Sequence, residues 1–79
     1  MPKKNLYSLS RPDHAGGCYV TRTSDQVIIG RVWKEEGTWE GRYYFGGGGT
    51  TTGGFNLRRE AAGYVYEMQK DRTTEDLLA

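Results

Sequence analysis

Residues 30–70 read GRVWKEEGTWEGRYYFGGGGTTTGGFNLRREAAGYVYEMQK. The pattern is strand, tight turn, strand, glycine-rich connection, strand, and then one amphipathic helix. Residues 27–34 (VIIGRVWK) are the strongest strand signal in the chain, dense in β-branched and aromatic side chains. Glu35, Glu36 and Gly37 supply a tight connection with a glycine available for positive φ. In the next strand, 38–45 (TWEGRYYF), side chains alternate between faces. Trp39, Gly41, Tyr43 and Phe45 share one face and Glu40, Arg42 and Tyr44 the other. The first set is the more apolar and is assigned to the core, which points Arg42 and Tyr44 outward.

Gly46 to Gly49 lose much entropy on ordering and offer nothing to pack, so they read as a flexible hairpin loop. A phosphate cradle would need a helix N-terminus directly behind the glycines, and a threonine-rich strand, 50–55, follows instead. Asn56 is a good N-cap for a helix from Leu57 to about Lys70. Leu57, Ala61, Tyr64, Val65 and Met68 recur on one helical face and predict its buried stripe. Gly63 costs the helix about 1 kcal/mol relative to alanine, a cost consistent with close approach of helix backbone to sheet.

Outside this stretch the signals are weaker. Residues 18–22 (CYVTR) are strand-like and are followed by a turn at 23–26; they are expected to pair with 27–34 as a hairpin, adding a fourth strand, and would otherwise belong to the arm. Residues 1–17 hold both prolines and show no period, and read as a flexible basic arm, although Tyr7 and Leu9 alternate with polar residues as a short edge strand would. Residues 71–79 read as a tail. The expectation is an α+β fold: a small antiparallel sheet of three strands, or four, with one C-terminal amphipathic helix packed on one face. It divides as arm 1–17, a single β-β-β-α domain 18–70, and tail 71–79.

Size and composition bound the function. A chain of 79 residues with mean hydropathy −0.77 supports one modest core. The single cysteine, Cys18, excludes an intramolecular disulfide and fits a reducing compartment. No apolar run reaches the ~18 residues of a membrane span, and the lysines near the N-terminus have no apolar segment behind them, so a cytoplasmic protein without membrane partners is expected. Residues 1–34 carry six bases against two acids, and 35–79 five bases against eight acids. His14 and Cys18 are only two potential ligands where zinc normally takes four, and as a nucleophile–base pair they would need a third, orienting group. The chain is therefore expected to have no catalytic residues, no metal and no cofactor.

The segment Gly54-Phe55-Asn56-Leu57-Arg58-Arg59-Glu60-Ala61-Ala62-Gly63-Tyr64, with Gly37-Thr38-Trp39-Glu40-Gly41-Arg42-Tyr43 upstream, resembles a known DNA-binding domain. That family, a three-stranded sheet with one helix, includes the plant ethylene-response-factor domain and the arm-site-binding N-terminal domain of phage and transposon tyrosine integrases. The resemblance covers about residues 30–68. It implies that the sheet face opposite the helix enters the major groove of duplex DNA, with Arg31, Trp33, Lys34, Arg42 and Tyr44 as the reading residues. The parity of VIIGRVWK leaves Arg31 and Trp33 either outward or inward. Lys3, Lys4, Arg11 and Arg22 would hold phosphates and set the register. The resemblance further implies phage or mobile-element origin and a nucleoid-associated location.

Residues 27–56 carry Arg31, Lys34 and Arg42 against Glu35, Glu36 and Glu40, a net charge of zero. Phosphate neutralisation supplies much of DNA affinity. Weight therefore moves to the basic N-terminal segment and to self-association as a homo-oligomer. The second function class is a protein-interaction module, with exposed Trp33 and Tyr44 binding a host protein or a second copy.

Overall fold

A computed structural model describes residues 5–45 and 48–72. Five antiparallel strands form one sheet in chain order: β1 (Tyr7–Leu9), β2 (Cys18–Arg22), β3 (Val27–Glu35), β4 (Thr38–Phe45) and β5 (Gly48–Phe55). One helix, α1 (Arg58–Gln69), covers a single face. The α+β class and the order of elements match expectation. The strand count is five rather than three or four, because residues 18–22 pair with β3 and residues 7–9 with β2. Residues 7–9 are therefore part of the sheet rather than of a free arm. Gly48 and Gly49, expected in a loop, extend β5 and pair with Phe45 and Tyr44.

The β3–β4 connection is a two-residue turn with Glu36 at φ 50° and Gly37 at φ 86°. Two consecutive positive φ values match the right-handed twist of the flanking strands. The β2–β3 hairpin contains a bulge: Val20 pairs with Gly30 and Thr21 with Ile28, so Ile29 has no partner in β2. The bulge turns Ile29 into the core while Ile28 stays 49% exposed. It also resolves the parity of VIIGRVWK, because beyond the extra residue Val32 is buried and Arg31 and Trp33 lie on the open face.

The core consists of Cys18, Val20, Ile29 and Val32 from the sheet and Ala61, Ala62 and Val65 from the helix, all with no accessible surface. The helix sits over two strand glycines. A Cβ on Gly41 would lie 3.1 Å from the Ala61 carbonyl oxygen and 3.2 Å from Val65 Cγ2. A Cβ on Gly30 would overlap Val65 Cγ1 and the Arg42 carbonyl oxygen. Close approach is thus made by strand glycines. Gly63 does not make it, since a Cβ there would meet only the Tyr7 hydroxyl, at an ordinary 3.7 Å.

This seat changes the expected stripe. Where backbone nearly touches backbone, only short side chains fit, so Ala61, Ala62 and Val65 face the sheet. Leu57 and Met68, assigned to the core from periodicity, are 45% and 38% exposed. Phe45, likewise assigned inward, is 46% exposed and lies under the Arg72 guanidinium, 4.2 Å from the ring centre. Trp39, Tyr43 and Phe55 pack around the core without being fully covered. Tyr64 bridges this aromatic fringe, 5.9 Å from Tyr43 and 5.5 Å from Phe55, and its hydroxyl accepts from Thr52 Oγ1. The helix begins one residue later than expected, with Leu57 rather than Asn56 at the N-cap. Leucine has no side-chain oxygen, and the Glu60 carboxylate instead reaches back to accept the Leu57 N–H at 3.0 Å.

The C-terminal end of α1 is held from the sheet. Arg22 is 4% exposed and faces the helix. Its guanidinium donates to the carbonyl oxygens of Gln69 and Arg72, and pairs in a fork with Asp25. Cations are favoured at a helix C-terminus, where carbonyls lack intrahelical partners. The Arg22 hydrogen bond holds the Asp25 carboxyl below the ordinary carboxylate value.

Two outcomes follow from this packing. Gly30→Ala is expected to lower unfolding free energy by about 1–3 kcal/mol through overpacking, read from urea denaturation. Because the folded pKa of Asp25 lies below the unfolded one, its pair with Arg22 stabilises fully above the unfolded carboxylate range. That contribution is lost as pH falls from about 4 through the lower folded value. Asp25→Asn should flatten this acid limb of a stability-against-pH curve measured by thermal melting.

Candidate functional site

The sheet face opposite α1 is uncovered by any described element. Strand register arranges it. Tyr19 stands opposite Arg31, Arg31 opposite Arg42, and Arg42 opposite Thr51, a row across β2, β3, β4 and β5. Trp33 stands opposite Glu40 two pairs along, and Tyr44 opposite Gly49. Arg31, Trp33, Arg42 and Tyr44, named from sequence, therefore share one surface.

Each arginine lies over a glycine. A Cβ on Gly17 would overlap the Arg31 guanidinium, and one on Gly49 would overlap the Arg42 side chain. Glu40 in the same way lies over Gly53, where its carboxylate accepts the Gly54 N–H at 3.2 Å. Long polar side chains thus lie over positions where the adjoining segment has no side chain.

Asp13 decides the electrostatics of Arg31. Its Oδ1 accepts the N–H groups of Ala15 and Gly17, closing a turn between β1 and β2. Both oxygens also accept from Arg31, the closest contact being 3.0 Å. The Gly17 N–H first, and then Arg31, hold the Asp13 carboxyl below its ordinary range. Arg31 also lies 5.5 Å from the centre of the Trp33 ring, a cation–π distance. Arg42 is exposed and forms no ion pair among the described residues. Burial pushes the Tyr44 phenol above the ordinary tyrosine value, and nearby Tyr19 adds to this while Arg31 and Arg42 oppose it.

The remaining sequence-named residues lie elsewhere. Lys34 pairs with Trp39 and belongs by alternation to the helix-side face at the end of β3. Arg22 is buried against the helix, so its expected phosphate role has no accessible guanidinium behind it. Arg11 is exposed between β1 and the Asp13 turn. Lys3 and Lys4 lie outside the described residues. Tyr19, 39% exposed, and Ile28 join the open face without having been named. Tyr19 was legible, since inward Cys18 and Val20 leave it outward. Ile28 depends on the bulge, and Asp13 on a contact across 18 positions of chain.

Among the described residues no group of three or more histidine, cysteine, aspartate or glutamate side chains could hold a metal ion. No described helix is long and apolar enough to cross a membrane. Comparison of the chain with protein-family models, curated proteins and solved structures found no match.

The charge arrangement predicts a coupling within the open face. Arg42→Ala removes one of the two cations that lower the Tyr44 pKa, so the phenol should titrate higher still. NMR titration of ring-labelled tyrosine reads this, and an unchanged or lowered Tyr44 value would place Arg42 away from that phenol.

Proposed function

We propose that the protein binds duplex DNA with the middle of its open sheet face. The observation that carries this reading is the register that sets Arg31 directly opposite Arg42. Like charges in a cross-strand pair cost stability, and an anionic ligand offsets that cost. Asp13 answers Arg31 in the free protein, whereas Arg42 remains available to a ligand.

The dimensions constrain how such a face would dock. The major groove is about 12 Å wide. With strands spaced about 4.8 Å, five strands span about 19 Å and β3 to β5 about 10 Å. The central and C-terminal strands would enter the groove, and the β1–β2 edge would meet the sugar–phosphate backbone. Arg42 has the fork geometry for guanine O6 and N7, and Trp33 and Tyr44 suit sugars and thymine methyl groups. Arg11, with Lys3 and Lys4, supplies phosphate contacts. Arg22 is withdrawn from that set by its buried bonds.

A protein partner is the second reading. It is favoured by Glu35 and Glu40 around Trp33 and by exposed Tyr19 and Ile28. Tryptophan, tyrosine and arginine are the residues that dominate interface energetics.

Fluorescence anisotropy with labelled random-sequence duplexes separates the two. Binding at ~50 mM salt that weakens by tens of fold at ~200 mM is expected for a few phosphate contacts. Arg42→Ala should cost about 1–3 kcal/mol on a preferred site and relax sequence preference. Asp13→Asn keeps an acceptor for the turn N–H groups while releasing Arg31, and should tighten binding. No binding at low salt rejects the DNA reading and leaves the protein partner.

A further inference from the structure

Strand β5 is an open edge. Among the described residues its only neighbour in the sheet is β4, and Gly48, Gly49, Thr50, Thr51, Gly53 and Gly54 are all exposed. An edge strand presents unpaired N–H and C=O groups, and proteins usually blunt such edges with charge, proline or very short length. The opposite edge, β1, is short at three residues. β5 has eight residues, GGTTTGGF, with no charged residue and no proline. Its irregularity, opposite Glu40, lies at one end, where Gly54 has φ 86°. The strand between Gly49 and Thr52 stays in continuous register with β4.

The sequence of this edge is a palindrome: residues 48–54 read GGTTTGG about Thr51. A two-fold interface must be self-complementary, each residue meeting the partner's symmetry-related position. Antiparallel pairing of β5 with its own copy about Thr51 sets Thr51 against Thr51, Thr50 against Thr52, and Gly49 against Gly53. No charge is placed opposite a like charge, and threonine pairs are favourable cross-strand neighbours.

We infer that β5 is a homodimerisation edge, joining two copies into one continuous ten-stranded sheet with a two-fold axis at Thr51. A two-fold perpendicular to the sheet keeps both helices on one side and both open faces on the other. The arginine row then runs through the axis. Arg42 of one copy and Arg42 of the other stand three strand spacings apart, about 14 Å. The inference concerns the backbone edge and is independent of what the open face binds.

Sedimentation velocity of the full chain across micromolar concentrations tests it. The wild type is expected to dimerise reversibly. Thr51→Lys and Thr51→Glu each place like charges together at the axis and should be monomeric, with far-UV circular dichroism unchanged because Thr51 is exposed. An equimolar mixture of the two variants should recover the dimer. In the wild type alone, amide exchange within 49–53 should slow as concentration rises. A monomeric wild type up to about millimolar concentration overturns the inference. A dimer that Thr51→Lys leaves intact, or that forms without protection of 49–53, overturns it equally by placing the contact elsewhere. DNA binding by a strictly monomeric protein would leave the open-face reading standing and remove this one.

Discussion

The structure depends on how closely one helix can approach one sheet. Gly30 and Gly41 leave a floor without side chains, and Val65 and the Ala61 backbone occupy it. A core of valines, alanines, one isoleucine and one cysteine is small, and it gains density through this approach. The bulky aromatics, displaced from the seat, form a fringe around it, and Tyr64 ties β4, β5 and the helix together. Arg22 completes the arrangement by bonding the helix's terminal carbonyls from β2, where a hydrophobic side chain could not satisfy them.

Packing the helix on one face leaves the other to polar and aromatic side chains. Its arginines are laid down over glycines of adjoining segments. Asp13 reaches that surface from the turn before β2 and divides two chemically identical side chains into a paired Arg31 and an available Arg42. The electrostatics of the face are therefore those of one strong cation beside a neutralised one, flanked by carboxylates.

Much of the fold was legible. Alternation in TWEGRYYF assigned Trp39, Gly41 and Tyr43 to one face and Arg42 and Tyr44 to the other, and the structure keeps that division. It failed for Phe45 at the strand end, which is 46% exposed, because alternation gives direction and not coverage. Helical periodicity found Ala61 and Val65 and overreached at Leu57 and Met68. A stripe predicts which side faces the sheet, whereas the depth of contact along it depends on the glycines opposite. The open-face residues Arg42 and Tyr44 followed from alternation alone. Arg31 and Trp33 needed the bulge at Ile29, for which Gly30 beside it was the one local hint.

By itself the sequence determined the order of elements, the β3–β4 turn, the placement of one amphipathic helix after the sheet, and the absence of a disulfide. These are local matters of side-chain period, turn chemistry and cysteine count. Tertiary structure alone decided that residues 7–9 join the sheet through β2, that Arg22 is an internal clamp and not a surface cation, and that Asp13 holds Arg31. Each depends on a partner distant along the chain. A strand edge, a helix end or a charge acquires its role only when folding closes that distance, and the pattern of neighbouring residues carries no record of which partner will be there.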